Sequence, residues 1–277
     1  MTAILALLAA GFLGTADFLG GVLSRRVPMI TVLVLSQVVA TLAVLPRLFA
    51  EPVGATPGGG YLWGVVSGVG AAVGVSALYR ALAIGTMGVV APIAALSVLV
   101  PVVAGLLGGD SLGPLLIMGM VVAVAGTIFA SGPELRGGTG GAKPILLALV
   151  AALGFGTNNL AVAWGSAYDV SATLLANVLT TLVLYLAAMV VVGVLPRASG
   201  RPLIGIIAIG VLGFLANLFF AVAAETGMLS VVAVCVSVFP AVTVMLGRWF
   251  LKERLRRIQM IGVVLVLGGA AIVSLSI

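Results

Sequence analysis

Asp17, Arg80 and Glu225 are ionisable side chains lying inside long apolar runs or at their ends. A charge held in such a run needs a partner, water or a ligand, so each is a candidate for chemistry. Asp17 could take up a proton or a cation, and Arg80 could hold an anion or complete an ion pair. Each sits four or five residues before the end of its run, and the two runs point the same way. That places both at similar depth near one face. The pattern predicts an Asp17–Arg80 pair that gates or binds a solute, with Asp17 accepting a coupling proton. A purely structural pair, or an Arg80 that reaches up to the headgroups, remains an open alternative. Glu225 falls at a turn and reads as facing the headgroups.

Uncharged polar residues extend the candidate set. Thr15, Asn158, Asn159 and Asn217 lie in apolar runs, where a hydroxyl or amide must hydrogen-bond to another helix or to a solute. Tyr79 is the aromatic side chain best placed to touch a solute. Gln37 and Asn177 read as glue between helices, and Trp63, Trp164 and Trp249 as interfacial anchors. The chain has no histidine and one cysteine, Cys235, which leaves no soft-metal cluster and no intrachain disulfide. It also has no phosphate-binding loop and no nucleophile beside a base. No cofactor is expected, and an intramembrane enzyme is the weakest of the readings.

Composition decides what positions these residues. Of 277 residues, 62% are hydrophobic and only 7% charged, with a mean hydropathy of +1.37. Soluble domains carry roughly 25% charged residues, so this chain cannot cover a water-facing surface. Runs of helical length, rather than short alternating segments, predict an all-α polytopic membrane protein and not a barrel. At about 20 residues per crossing, ten helices are expected. They run over residues 3–23, 29–46, 61–83, 88–107 and 112–130, then 144–164, 170–195, 203–224, 228–250 and 258–275. The first run lacks a positive leader and is long for a signal peptide, so it reads as a retained helix. Residues 132–143 are glycine-rich and polar and read as a linker between a first unit, 1–131, and a second, 144–277.

The two units repeat each other. Leu35, Gln37, Thr41 and Leu42 match Leu175, Asn177, Thr181 and Leu182. Ala81, Ala83 and Thr86 match Ala221, Ala223 and Thr226 at the same offset of 140 residues, which pairs Arg80 with Phe220. Ala9, Ala10, Gly14, Thr15 and Asp17 match Ala151, Ala152, Gly156, Thr157 and Asn159, 142 residues later. Asp110, Leu112 and Gly119 match Glu253, Leu255 and Gly262. A repeat of five crossings is odd, so the second copy enters the membrane inverted. Such pairs are a recurring transporter design.

These residues carry a family resemblance. Tyr79-Arg80-Ala81-Leu82-Ala83 followed by Gly85, Val90 and Pro92, and Pro240 followed by Gly247, Leu251-Lys252-Glu253-Arg254-Leu255, Gln259 and Gly262, resemble the EamA-type ten-helix members of the drug/metabolite transporter superfamily. Lys252 stands where that pattern has glycine, and the first unit keeps only the shortened Gly108-Gly109-Asp110-Ser111-Leu112. The resemblance implies secondary transport of small organic solutes through a central cavity. It implies that this cavity is lined mainly by the first, third and fourth helices of each half.

The net charge of +6 does not imply nucleic acid, because the basic residues sit at helix ends. Arg25, Arg26, Arg136, Lys143, Arg197, Arg201, Arg248, Lys252, Arg254, Arg256 and Arg257 all fall in odd-numbered loops. Counting positive loops as cytoplasmic puts both termini outside, whereas the resemblance implies cytoplasmic termini. Gly64, Gly68, Gly70 and Gly74 permit close helix approach, and could support a homodimer. The expected function is export of a small metabolite, an amino acid or similar, across a cell membrane by alternating access. A membrane structural or interaction protein that transports nothing is the runner-up.

Overall fold

The computed structural model describes residues 2–50, 58–107, 142–226, 239–252 and 257–275, together with scattered positions in 113–129 and at 232 and 236. Every described element is helical: α1 (Thr2–Leu23), α2 (Met29–Ala50), α3 (Gly59–Ile84), α4 (Met87–Ala94), a 3₁₀ turn (Ala95–Val98), α5 (Leu99–Leu107), α6 (Lys143–Ser166), α7 (Val170–Val192), α8 (Arg201–Thr226), α9 (Phe239–Phe250) and α10 (Arg257–Leu275). Helices are what a lipid-embedded chain must form, since each backbone N–H and C=O then finds its partner within its own segment. Among the described residues six helices are long and apolar enough to cross a membrane: α1, α2, α3, α6, α7 and α8. The expected linker, 132–143, lies almost wholly outside the described residues.

Local chemistry sets the helix ends. Asp169 caps α7, its carboxylate accepting from the Ala172 N–H at 2.8 Å, which satisfies one orphan donor of the first turn. Gly193 ends the same helix in the left-handed region at φ 68°, before the expected end at residue 195, because glycine takes that conformation without penalty. Where one continuous fourth helix was expected, the chain makes α4, a 3₁₀ turn and α5. Pro101 cannot donate to the carbonyl four residues back, that of Ser97, and the ladder tightens just before it.

Small residues bring the helices together. Gly60, Gly64 and Gly68 of α3 lie against Ala172, Ala176 and Thr180 of α7, so these helices run parallel. Hydroxyls rivet this seam at a constant spacing: Thr173 donates to the Gly60 carbonyl at 3.2 Å, Thr181 to that of Gly68 at 3.0 Å and Tyr185 to that of Ala72 at 3.5 Å. Gly70 and Gly74 face Asn158 and Gly154 of α6, and Trp63 meets Trp164 edge-on at 4.7 Å. α3 and α6 are therefore antiparallel. Gly64, Gly68, Gly70 and Gly74, whose spacing permits close helix approach, are packed inside the chain.

The packing between the two sets of helices is two-fold paired. α3 packs on α6 as α1 packs on α8, and α3 packs on α7 as α2 packs on α8. The pairing holds at single residues. Gly14 abuts Phe239 and Val242, while Gly156 abuts Ser97 and Val100, each partner shifted by 142. Likewise Gly68 meets Asn177 and Thr180, while Gly210 meets Ser36 and Val39. One departure stands out: the position of Pro101 in the first set is Thr243 in the second, whose hydroxyl donates to the Gly14 carbonyl at 3.0 Å.

Candidate functional site

A cavity of about 110 Å³ sits at the centre of this arrangement. At roughly 10–15 Å³ per water by the same measure, it has room for several waters or a small solute. Its walls come from both sets of helices. α1 supplies Asp17 and α6 supplies Asn158 and Asn159; α3 supplies Tyr79 and α8 supplies Asn217 and Phe220. The second helices of each set contribute as well, through Gln37 and Ser36 of α2 and Asn177, Thr181 and Tyr185 of α7. The first, third and fourth helices therefore do not line it alone.

Asp17 is 2% exposed, and its Oδ2 has no hydrogen-bond partner. No lysine or arginine is among the described residues lining the cavity. In a low-dielectric site a carboxyl group needs a proton or a cation beside it, and the protein places no cation there among the described residues. Tyr79 lies close enough for the two to interact electrostatically, and its ring rests against Gly20, one turn beyond Asp17 on α1.

The expected Asp17–Arg80 pair is not formed. Arg80 is exposed while its neighbour Tyr79 is 3% exposed and faces the cavity. Successive residues on a helix point about 100° apart, so turning Tyr79 inward turns Arg80 out. The alignment of Arg80 with Phe220 shifts as well: at the offset that relates Gly68 to Gly210, Arg80 pairs with Val222, while Phe220 is buried on the cavity as Tyr79 is. Thr15 also stands off the cavity, its hydroxyl donating to the Gly11 carbonyl of its own helix at 2.8 Å. Glu225 has its side chain outside the described residues. Replacing Arg80 with alanine should leave any transport within about twofold of the parent, as an exposed substitution does. Initial uptake rates in liposomes check this, and a loss approaching that of an Asp17 variant would restore Arg80 to the site.

The amides form one chain of hydrogen bonds. Ser67 donates to the Gly64 carbonyl at 2.8 Å and accepts from Asn177 Nδ2 at 2.8 Å. The same nitrogen donates to Asn158 Oδ1 at 3.0 Å, and Asn158 Nδ2 donates to Asn159 Oδ1 at 3.2 Å. Gln37 Nε2 reaches the Val178 carbonyl at 3.0 Å, bridging α2 to α7. Asn217 bonds weakly back to Gly213 at 3.3 Å. Asn177 is thus both glue and cavity wall. Tyr185 was not legible as a site residue, since the repeat pairs it with an aliphatic residue and nothing else in the sequence marks it.

Known proteins give the arrangement a context. The model of the EamA-like transporter family matches residues 1–132 and again 142–275. A solved structure described only as "Crystal structure of protein" superposes with a TM-score of 0.71 over 99% of this chain and 97% of its own, at 19% identity. No curated protein matches the sequence. The fold is shared with a solved structure, and a family model accounts for both sets of helices, one after the other. On that double match the chain belongs to the EamA-like transporter family.

Proposed function

We propose that this protein is a secondary transporter of a small organic metabolite, of amino-acid size, working by alternating access in a cell membrane with export as its direction. The reading has ten crossings in two inverted five-helix halves, 1–131 and 144–277, joined by 132–143. The observation that carries it is the central cavity on the pseudo-two-fold, walled by matching helices of both sets and holding an unpartnered buried carboxyl at Asp17. Membership of a transporter family, with a polytopic apolar chain, favours transport over catalysis. Asp17 is the proposed site of the coupling proton, because a group that must be neutralised in each state can take its proton on one side and release it on the other.

Purified protein in liposomes, given a metabolite mixture and an imposed pH gradient, should accumulate a defined solute when the gradient is present. No solute moving under any gradient would sink the proposal. Orientation follows from the loop charges: the basic odd loops face the cytoplasm and both termini face out. A reporter fused after Ile277 that matures only outside the cytoplasm should be active. Activity of a cytoplasm-only reporter at the same position reverses the assignment.

A further inference from the structure

The hydrogen-bond chain across the cavity has a direction, and the direction specifies a ligand. Ser67 has one proton, and the Gly64 carbonyl takes it. Its oxygen can then only accept, so the group Asn177 presents to it must be the amide nitrogen. The other hydrogen of that nitrogen goes to Asn158 Oδ1, which turns the Asn158 nitrogen toward Asn159 Oδ1. The oxygen of Asn159 therefore already accepts one bond, and its NH₂ group remains as a donor on the cavity wall, with no partner among the described residues. Asp17 occupies the matching position on α1, with an oxygen that has no donor. The cavity thus offers a carboxyl oxygen on α1 and, at the repeat-related position on α6, a neutral donor. The same wall carries the aromatic rings of Tyr79, Phe155 and Phe220.

We infer that the ligand is a small amine bearing a neutral hydrogen-bond acceptor at its far end, such as an amide, ester or hydroxyl, rather than a zwitterion or an anion. The inference rests on the transporter reading and narrows its substrate class. The ammonium pairs with Asp17, aromatic faces accommodate the cation, and Asn159 donates to the acceptor. A free amino acid would bring a carboxylate to a wall with no cation among its described residues, leaving a buried charge unpaired.

Thermal unfolding of the purified full chain tests this with L-leucinamide, L-leucine, 4-methylpentanamide and 1,5-diaminopentane as probes, since a ligand of the folded state raises Tm by an amount that grows with the logarithm of its concentration over Kd. Leucinamide should stabilise the wild type, with leucine and 4-methylpentanamide each needing at least about tenfold higher concentration for the same shift. In Asn159→Asp the second donor becomes an acceptor, and the order of leucinamide and 1,5-diaminopentane should reverse. Three results overturn the inference: leucine matching or surpassing leucinamide, no shift with leucinamide, or an unchanged order in a folded Asn159→Asp protein. The wild-type comparison decides even where that variant does not fold. Uptake assays in liposomes separate the two levels. Uptake of a zwitterion or anion with no response to leucinamide removes this ligand class and keeps the transporter. Leucinamide binding without uptake of any solute removes the transporter and keeps the ligand class.

Discussion

Asp17→Asn should abolish coupled transport, lowering the initial rate at least about 30-fold while the protein still inserts and purifies. The substitution keeps the shape of the side chain and removes both the charge and the exchangeable proton. Truncating one member of a buried charge pair typically costs 2–5 kcal/mol, which is about 30-fold to several thousand-fold in affinity. Whatever cation or proton Asp17 receives is then lost. Two measurements define the outcome: gradient-driven uptake into liposomes, and its dependence on pH. In the variant the rate should be flat with pH as well as low. A variant that carries solute at the parent rate across the pH range would remove Asp17 from the coupling step. Size-exclusion profiles of the two proteins should coincide, because the Oδ2 oxygen makes no hydrogen bond whose loss would unfold the protein.

The second large effect is on folding. Gly154→Val should prevent accumulation of monodisperse protein in detergent. A Cβ at residue 154 would meet the backbone of Gly74, with the Gly74 Cα at 2.7 Å and the Gly70 carbonyl oxygen at 2.8 Å. Backbone cannot rotate aside as a side chain can. Overpacking a core ordinarily costs 1–3 kcal/mol, and wedging apart a whole helix pair costs at least the upper end of that range. Gly213→Val serves as the comparison: nothing lies within 4 Å of its Cβ position, so its yield and Tm should remain near those of the parent. Equal yields for the two variants would mean that the α3–α6 seam does not hold the bundle together.

Much of this architecture was legible from residue order. Helix positions followed from apolar run length, and α1, α2, α3, α6, α7 and α8 begin within about two residues of the expected positions. The match of Gly14 and Asp17 with Gly156 and Asn159 recurs in the packing, since both glycines sit where another helix's backbone passes. Asp17, Tyr79, Asn158, Asn159 and Asn217 all line the cavity. Arg80 does not, and its case shows what a linear reading cannot supply. Depth in a membrane is set by position along the chain, but direction around a helix axis is set by packing. With a mean hydropathy as high as this, the apolar face and the cavity face of a helix look alike in sequence. Tyr79 and Arg80 were equally eligible until α1 packed its Gly20 against the tyrosine ring. The direction of the amide chain was hidden for a related reason. It depends on a single hydroxyl proton at Ser67, a residue no sequence pattern distinguishes from other serines.

The pairing of Gly14 with Val242 and of Gly156 with Val100 bears on the energetics of the proposed cycle. If the two access states interconvert by exchanging the geometries of the two halves, matched contacts contribute equally to both and cancel from their energy difference. Only unmatched positions then bias the resting equilibrium, and Pro101 against Thr243 is one of them: a hydroxyl bond to Gly14 on one side, and a residue without an N–H on the other. A perturbation at one glycine and the same perturbation at its counterpart would push that equilibrium in opposite directions. The repeat is then the two pans of a balance, and the few residues that break it are the weights.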